Sequence, residues 1–152
     1  MAPATLNVIE RRTVRARPRG DQWISAGHYA PGFGTRLNQE LDRLAALPPN
    51  WDAEGAPRIQ PAIIAAARHF ISRWPNDIAT VPTVVPSAAG TLQFEWNAGR
   101  RSLELEIETP STVHYLKWDP DENVEEEEIF GIDDIDQAEF LIRWFMRGVT
   151  NV

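Results

Sequence analysis

Between Val81 and Asp119 the chain reads as short runs of two-residue alternation separated by turn residues: TVV, TLQFEW, SLELEIE and TVHYLKW. Leu92, Phe94 and Trp96 share one side of their run, and Leu103, Leu105 and Ile107 share one side of theirs. That period places one face of a strand on a core and the other in water. Connections this short join neighbouring strands antiparallel, so the stretch predicts a meander. The remaining elements must be placed around it.

Two helices are expected ahead of the sheet. Leu37, Leu41, Leu44 and Ala45 fall at helical spacing within 35–47, with Thr35 as a start and Pro48-Pro49 as a stop. A second begins at Pro61, a favoured first helical position, and runs to about Trp74 on a stripe of Ile63, Ala66, Ala67 and Phe70. After the fourth strand, Glu125-Glu126-Glu127-Glu128 reads as an acidic loop, returning through Ile129–Ile132 as a short fifth strand. A last helix runs from Asp134 or Asp136 to about Val149, with Ile135, Ala138, Ile142, Phe145 and Val149 as its buried stripe, widened by Phe140 and Trp144. Trp74, Trp96, Trp118 and Trp144 are all assigned to the core. The expected fold is α+β: a four- to five-stranded antiparallel meander, two helices before it and one after it, all on one face. Residues 35–152 form this single domain, and 1–34 form a basic, partly flexible arm.

The 152 residues suit one domain, which at this size buries roughly 70% of the surface its unfolded chain exposes. No cysteine is present, which removes disulfides, thiolate nucleophiles and cysteine zinc sites together. No apolar run approaches the roughly 18 residues that span a bilayer, and MAPATLNVIERR lacks the order of a secretory signal. The expectation is a cytoplasmic protein without a membrane partner.

Charge is unevenly spread. Arg11, Arg12, Arg15, Arg17 and Arg19 against Glu10 give residues 1–20 a net +4, which leaves −11 for the rest of a −7 chain. An acidic body repels bare nucleic acid and suits a basic partner. If Leu103, Leu105 and Ile107 point inward, Glu104, Glu106 and Glu108 form an outward row about 7 Å apart. Gln93 and Glu95 join them, with Lys117, Arg100 or Arg101 offsetting part of the charge. A flat row does not converge as a hard cation requires, so neither a metal nor a cofactor is expected.

The loop Asn50-Trp51-Asp52-Ala53-Glu54-Gly55-Ala56-Pro57 has the residues of a structural corner. Asn50 or Asp52 can bond the loop's backbone N–H groups, Trp51 can bury its ring while its N–H finds an acceptor, and Gly55 permits a positive φ. The rival reading makes Asp52 and Glu54 a general acid/base pair, joined by a histidine. His28, His69 and His114 form no metal-binding pair, and no nucleophile elbow occurs. In the arm, Trp23, Tyr29 and Phe33 make an aromatic set of the kind that anchors interfaces.

The segment from Leu47 to Trp118 resembles a set of small bacterial proteins that share an Asn-Trp-Asp-x-x-Gly-Ala loop, a following helix, a strand ending Glu-Trp and a strand of the form Leu-Glu-Ile-Glu-Ile. Here the strands are Gln93-Phe94-Glu95-Trp96 and Leu103-Glu104-Leu105-Glu106-Ile107. The resemblance covers about half the chain, implies the helix-then-meander order, and carries no settled activity.

The expected function is a non-enzymatic protein-binding module, in one form an inhibitor or antitoxin-like protein of a mobile element. Its partner-binding residues would be Glu95, Glu104, Glu106, Glu108, Glu125, Glu126, Glu127 and Glu128, with Arg11, Arg12, Arg15, Trp23 and Tyr29 of the arm. The alternatives are a small enzyme or ligand-binding domain at Asp52 and Glu54, and nucleic-acid contact through the arginine arm. Oligomeric state is left open.

Overall fold

The computed structural model describes residues 33–150. Helix α1 spans Phe33–Ala45 and α2 spans Pro61–Ser72. Strands β1 (Thr83–Pro86), β2 (Leu92–Ala98), β3 (Arg101–Thr109), β4 (Thr112–Asp119) and β5 (Val124–Gly131) follow, and α3 (Ile135–Thr150) closes the chain. The sheet is an antiparallel meander in the order β1-β2-β3-β4-β5. The α+β architecture expected from the sequence is therefore the one observed.

Each helix is placed by its apolar stripe. Leu37, Leu41 and Leu44 are the buried residues of α1, and Ile63, Ile64, Ala67, Phe70 and Ile71 those of α2. Both stripes join the sheet residues Leu92, Phe94, Trp96, Leu103, Leu105 and Ile107 in one core. Full burial of side chains this size contributes roughly 1.5–3 kcal/mol each. Trp74, just past α2, sets its ring edge-on to Phe70 at 5.3 Å and to Phe94 at 5.0 Å, tying the end of that helix to β2. Arg68 of α2 reaches Asn38 Oδ1 at 2.9 Å and pairs with Asp42, holding the two first helices together.

Helix α3 starts where Asp134 Oδ1 accepts the Gln137 N–H at 3.1 Å, a side-chain N-cap. Ala138, Leu141, Ile142, Trp144 and Phe145 are its buried residues. Phe140, expected to widen that stripe, is 52% exposed, and Leu141 takes the inward place instead. Helix α1 begins at Phe33, ahead of the Thr35 start the pattern suggested, and the Phe33 ring lies 6.3 Å from that of Trp74. No helix among the described residues is long and apolar enough to cross a membrane.

Candidate protein-binding face

All three helices pack on one side of the sheet, so the parity of each strand decides what lies opposite. The ladder pairs Phe94 with Leu105 and Leu105 with Tyr115, which puts these three on the helix side. Glu95 pairs with Glu104, Glu104 with Leu116 and Leu116 with Glu127 on the other side. A second row runs from Gln93 to Glu106, His114 and Ile129, and a third from Asn97 to Ser102, Trp118 and Glu125. The open face is therefore three rows deep across β2–β5.

Its charge is one-sided. Glu95, Glu104, Glu106, Glu125 and Glu127 stand on it, and no described strand position there holds a lysine or arginine. The cations expected to offset the glutamates lie elsewhere. Lys117 pairs with Leu103 in the ladder and so projects to the helix side, where its Nζ is 5.1 Å from the centre of the Trp144 ring and 3.3 Å from Glu126 Oε2. Arg101 is buried on that same side, and Arg100 bonds Asp121 at 2.9 Å in the turns. Like charges set side by side across strands repel one another.

The run Glu125–Glu128 is not a loop but the first half of β5. Strand alternation splits it. Glu125 and Glu127 reach the open face, whereas Glu126 and Glu128 oppose Lys117 and Tyr115 on the helix side. Glu126 accepts hydrogen bonds from both the Tyr115 hydroxyl and Lys117. The Tyr115 bond, then Lys117, draw its carboxyl below the ordinary glutamate range in spite of burial. Glu108 is exposed and falls at the irregularity between Ile107 and Thr109, so it does not continue the row of Glu104 and Glu106.

The face was expected to be wet throughout, and its centre is not. Gln93 is 3% exposed, Glu106 7% and Leu116 8%. Glu106 Oε1 accepts a bond from the Thr91 hydroxyl at 2.9 Å, and Gln93 bonds Glu95. His114 Nε2 lies 2.6 Å from Glu127 Oε1. Toward the rim the same face opens: Trp118 is 37% exposed and Ile129 58%. Trp118 thus leaves the core to which its alternating run assigned it. The sequence reading missed His114, Leu116, Trp118 and Ile129 as members of this face. Continuing the alternation through Lys117 and through the glutamate run would have found them.

Arg11, Arg12, Arg15, Trp23 and Tyr29, expected to contact a partner, lie outside the described residues, as does His28.

The Asn50–Pro57 loop is a closed corner. Asp52 Oδ1 accepts the N–H groups of Glu54 at 2.9 Å and Ala56 at 3.0 Å. Asn50 Oδ1 accepts Gly55 N–H at 2.6 Å, and Trp51 Nε1 donates to Pro57 O at 3.0 Å. Gly55 takes φ 92°, in the left-handed half of the map. The bonds from Ala56 and Glu54 hold the Asp52 carboxyl below its usual range. A general acid needs the opposite shift, and the bonds of this loop are those of a backbone corner. Among the described residues no three His, Asp or Glu side chains are grouped so as to hold a metal ion.

Comparisons of the chain with protein-family models, with curated proteins and with solved structures found no match.

Proposed function

We propose that the protein is a non-enzymatic binding module whose open sheet face takes an arginine- or lysine-rich segment of a protein partner. The observation that carries this reading is the gathering of Glu95, Glu104, Glu106, Glu125 and Glu127 on one face with no lysine or arginine among its described strand residues. Trp118 and Ile129 add exposed apolar area beside the carboxylates. That mixture suits a basic segment carrying apolar residues, since arginine stacks on tryptophan and pairs with carboxylates in one contact. An inhibitor or antitoxin-like role, in which the face blocks a basic effector, is the form that the size and charge of the chain favour. The resemblance of residues 47–118 to small bacterial proteins is compatible with it. The reading places the protein where its partner is, in the cytoplasm.

The test is affinity capture from the native host, with identification of what is retained, against the variant Glu104→Lys/Glu125→Lys. These two side chains are only partly buried or exposed, so the variant keeps the fold. The unaltered chain should retain a basic protein, with affinity falling as salt rises. Equal retention by the variant would refute the role of the face.

A further inference from the structure

We infer that the edge of β5 takes an extended basic segment of a protein partner as a sixth strand of the sheet. The inference rests on the partner being basic, as proposed above, and adds the way it is held: by the backbone of β5 and not by the side chains of the face alone.

Backbone geometry is the first support. Among the described residues the sheet ends at β1 on one side and at β5 on the other. Strand β1 has four residues and closes on Pro86, which brings no N–H to a ladder. Strand β5 has eight residues. Which of its backbone groups point outward follows from a bond at its end. The Ile132 N–H donates to Ser111 O at 2.9 Å, and Ile132 stands opposite Ser111 in the register that pairs Gly131 with Thr112. Bonded and unbonded pairs alternate along an antiparallel ladder. Phe130, Glu128 and Glu126 therefore turn their N–H and C=O groups to β4, whereas Gly131, Ile129, Glu127 and Glu125 turn theirs away from the sheet. Such a row of outward groups is a template for another strand.

Apolar surface is the second. The exposed large side chains Trp118, Ile129 and Phe140 all lie beside this edge. Trp118 stands opposite Glu125 and Ile129 belongs to β5 itself, both on the open face. Phe140, on α3, lies on the helix side, its ring centre 5.6 Å from Nζ of Lys117, the ladder partner of Glu126. An added strand sends alternate side chains to the two faces of the sheet, so it finds apolar contact on each.

Charge selects the occupant. Glu126 already accepts bonds from Tyr115 and Lys117, and Glu127 lies beside His114. Glu125 and Glu128 are exposed, the first on the open face and the second on the helix side. Lysine or arginine in the incoming strand thus meets a carboxylate on either face. Ile129 follows the glutamates, so a segment in antiparallel order is apolar first and basic after. The same charges disfavour a second copy of β5. Antiparallel pairing about Glu127 would set Glu127 against Glu127 and Glu126 against Glu128.

The experiment uses the full chain and the synthetic peptide TVVKRKRV, with amide exchange read by nuclear magnetic resonance. In the free chain the N–H groups of Glu125, Glu127 and Ile129 should exchange fast and those of Glu126, Glu128 and Phe130 slowly. The peptide should slow the first set about tenfold or more and leave the second as it was. In the antiparallel register the arginines of the peptide aim their N–H groups at β5 and the lysines aim theirs away. N-methylation of the arginines should abolish binding, whereas N-methylation of the lysines, at the same charge, should leave it. Ile129→Pro removes an outward N–H and no bond to β4, so it should weaken the peptide about tenfold in a chain whose melting shows it folded. The inference is overturned if the two methylated peptides bind alike, or if the peptide leaves the edge amides unprotected. It is also overturned if those amides are already slow in the free chain. Protection that grows with protein concentration would give the edge to a second copy, and protection lost on deleting residues 1–20 would give it to the chain's own N-terminal segment. Glu104→Lys, on β3, separates this inference from the proposed function. Should Glu104→Lys weaken the peptide while arginine methylation does not, the face is the receptor and the edge is not. Should the methylation pattern hold while Glu104→Lys changes nothing, the edge is the receptor and the face reading falls. Absence of both effects removes both.

Discussion

Arg101 and Asp119 meet at the far end of the β3–β4 hairpin, with Nη1 and Oδ2 2.5 Å apart and both side chains 8% exposed. The guanidinium lies 3.8 Å from the Trp144 ring centre and donates to the Trp144 carbonyl, so the pair fastens α3 to the sheet. Asp119 also accepts the backbone N–H of Asp121 at 2.9 Å and of Glu122 at 3.2 Å. Breaking one partner of such a pair leaves a charge stranded under a helix. Arg101→Met should therefore cost about 3–5 kcal/mol in chemical denaturation. The double variant Arg101→Met/Asp119→Leu should recover much of that loss, because a well-packed apolar pair carries no desolvation cost.

Gly148 gives a second reading of the same contact. A Cβ there would collide with the Arg101 side chain at Nε, Cδ and Cζ. Gly→Ala inside a helix ordinarily stabilises by about 1 kcal/mol. Here Arg101 is pinned by Asp119 and Trp144 and cannot step aside cheaply. Gly148→Ala should destabilise, and should turn stabilising once Arg101 is replaced by Ala. Thermal melting of the two single variants and the double variant checks the reversal of sign.

The pH dependence follows from Tyr115 at one end and the carboxylates at the other. Burial pushes the Tyr115 phenol well above its ordinary 10.0, and its bond to Glu126 adds to the shift. A group raised on folding stabilises fully below its unfolded value, and that share is lost as pH climbs past it. Stability should thus fall above about pH 10, and Tyr115→Phe should flatten that limb. Asp119 behaves oppositely. Burial raises its carboxyl, but the Arg101 bond, the Glu122 and Asp121 N–H groups and the Arg101 charge outweigh it and leave it below 3.8. Asp77, bonded by Arg143, and Glu126 are depressed as well. A depressed carboxyl stabilises above its unfolded value and loses that share as pH falls. Urea midpoints should hold through neutral pH, then drop below about pH 4, less steeply in Asp119→Asn.

The meander was legible because alternation is a local signal. Leu92–Trp96 and Leu103–Ile107 declare their inward side within five residues each. The glutamate run misled because four like charges resemble a solvated loop, whereas in β5 Glu126 takes bonds from both Lys117 and Tyr115 on the strand beside it. That pairing depends on the register of two strands and cannot be read from either alone. Trp118 misled for a related reason. It follows Leu116 at the strand period and resembles a core residue, yet both belong to the face turned away from the helices. The sheet's parity was fixed by Leu103 and Leu105, and carrying it across the turn at Pro110 would have placed Lys117 inward and Trp118 outward. Burial of Glu106 had no local signal at all.

The Asn-Trp-Asp loop is the one part of the site reading that the residues themselves resolved, and it can be tested without any partner. Asp52 Oδ1 holds two backbone N–H groups and Asn50 Oδ1 a third, while the Asn50 N–H itself donates to Ala56 O at 2.7 Å. Asp52→Ala removes the acceptor from two backbone donors and should lower the unfolding midpoint. Asp52→Asn keeps an oxygen in place and should cost less, since only the charge on the acceptor is lost. Gly55→Ala introduces a Cβ at φ 92°, where no neighbouring atom obstructs it, so its cost isolates backbone strain, about 1–2 kcal/mol. If the loop were instead an acid/base site, these variants would lose an activity while their unfolding midpoints stayed put. Denaturation curves of the three variants decide between the two outcomes. A corner that supports the fold lowers the midpoint at fixed slope in all three, and further in Asp52→Ala than in Asp52→Asn.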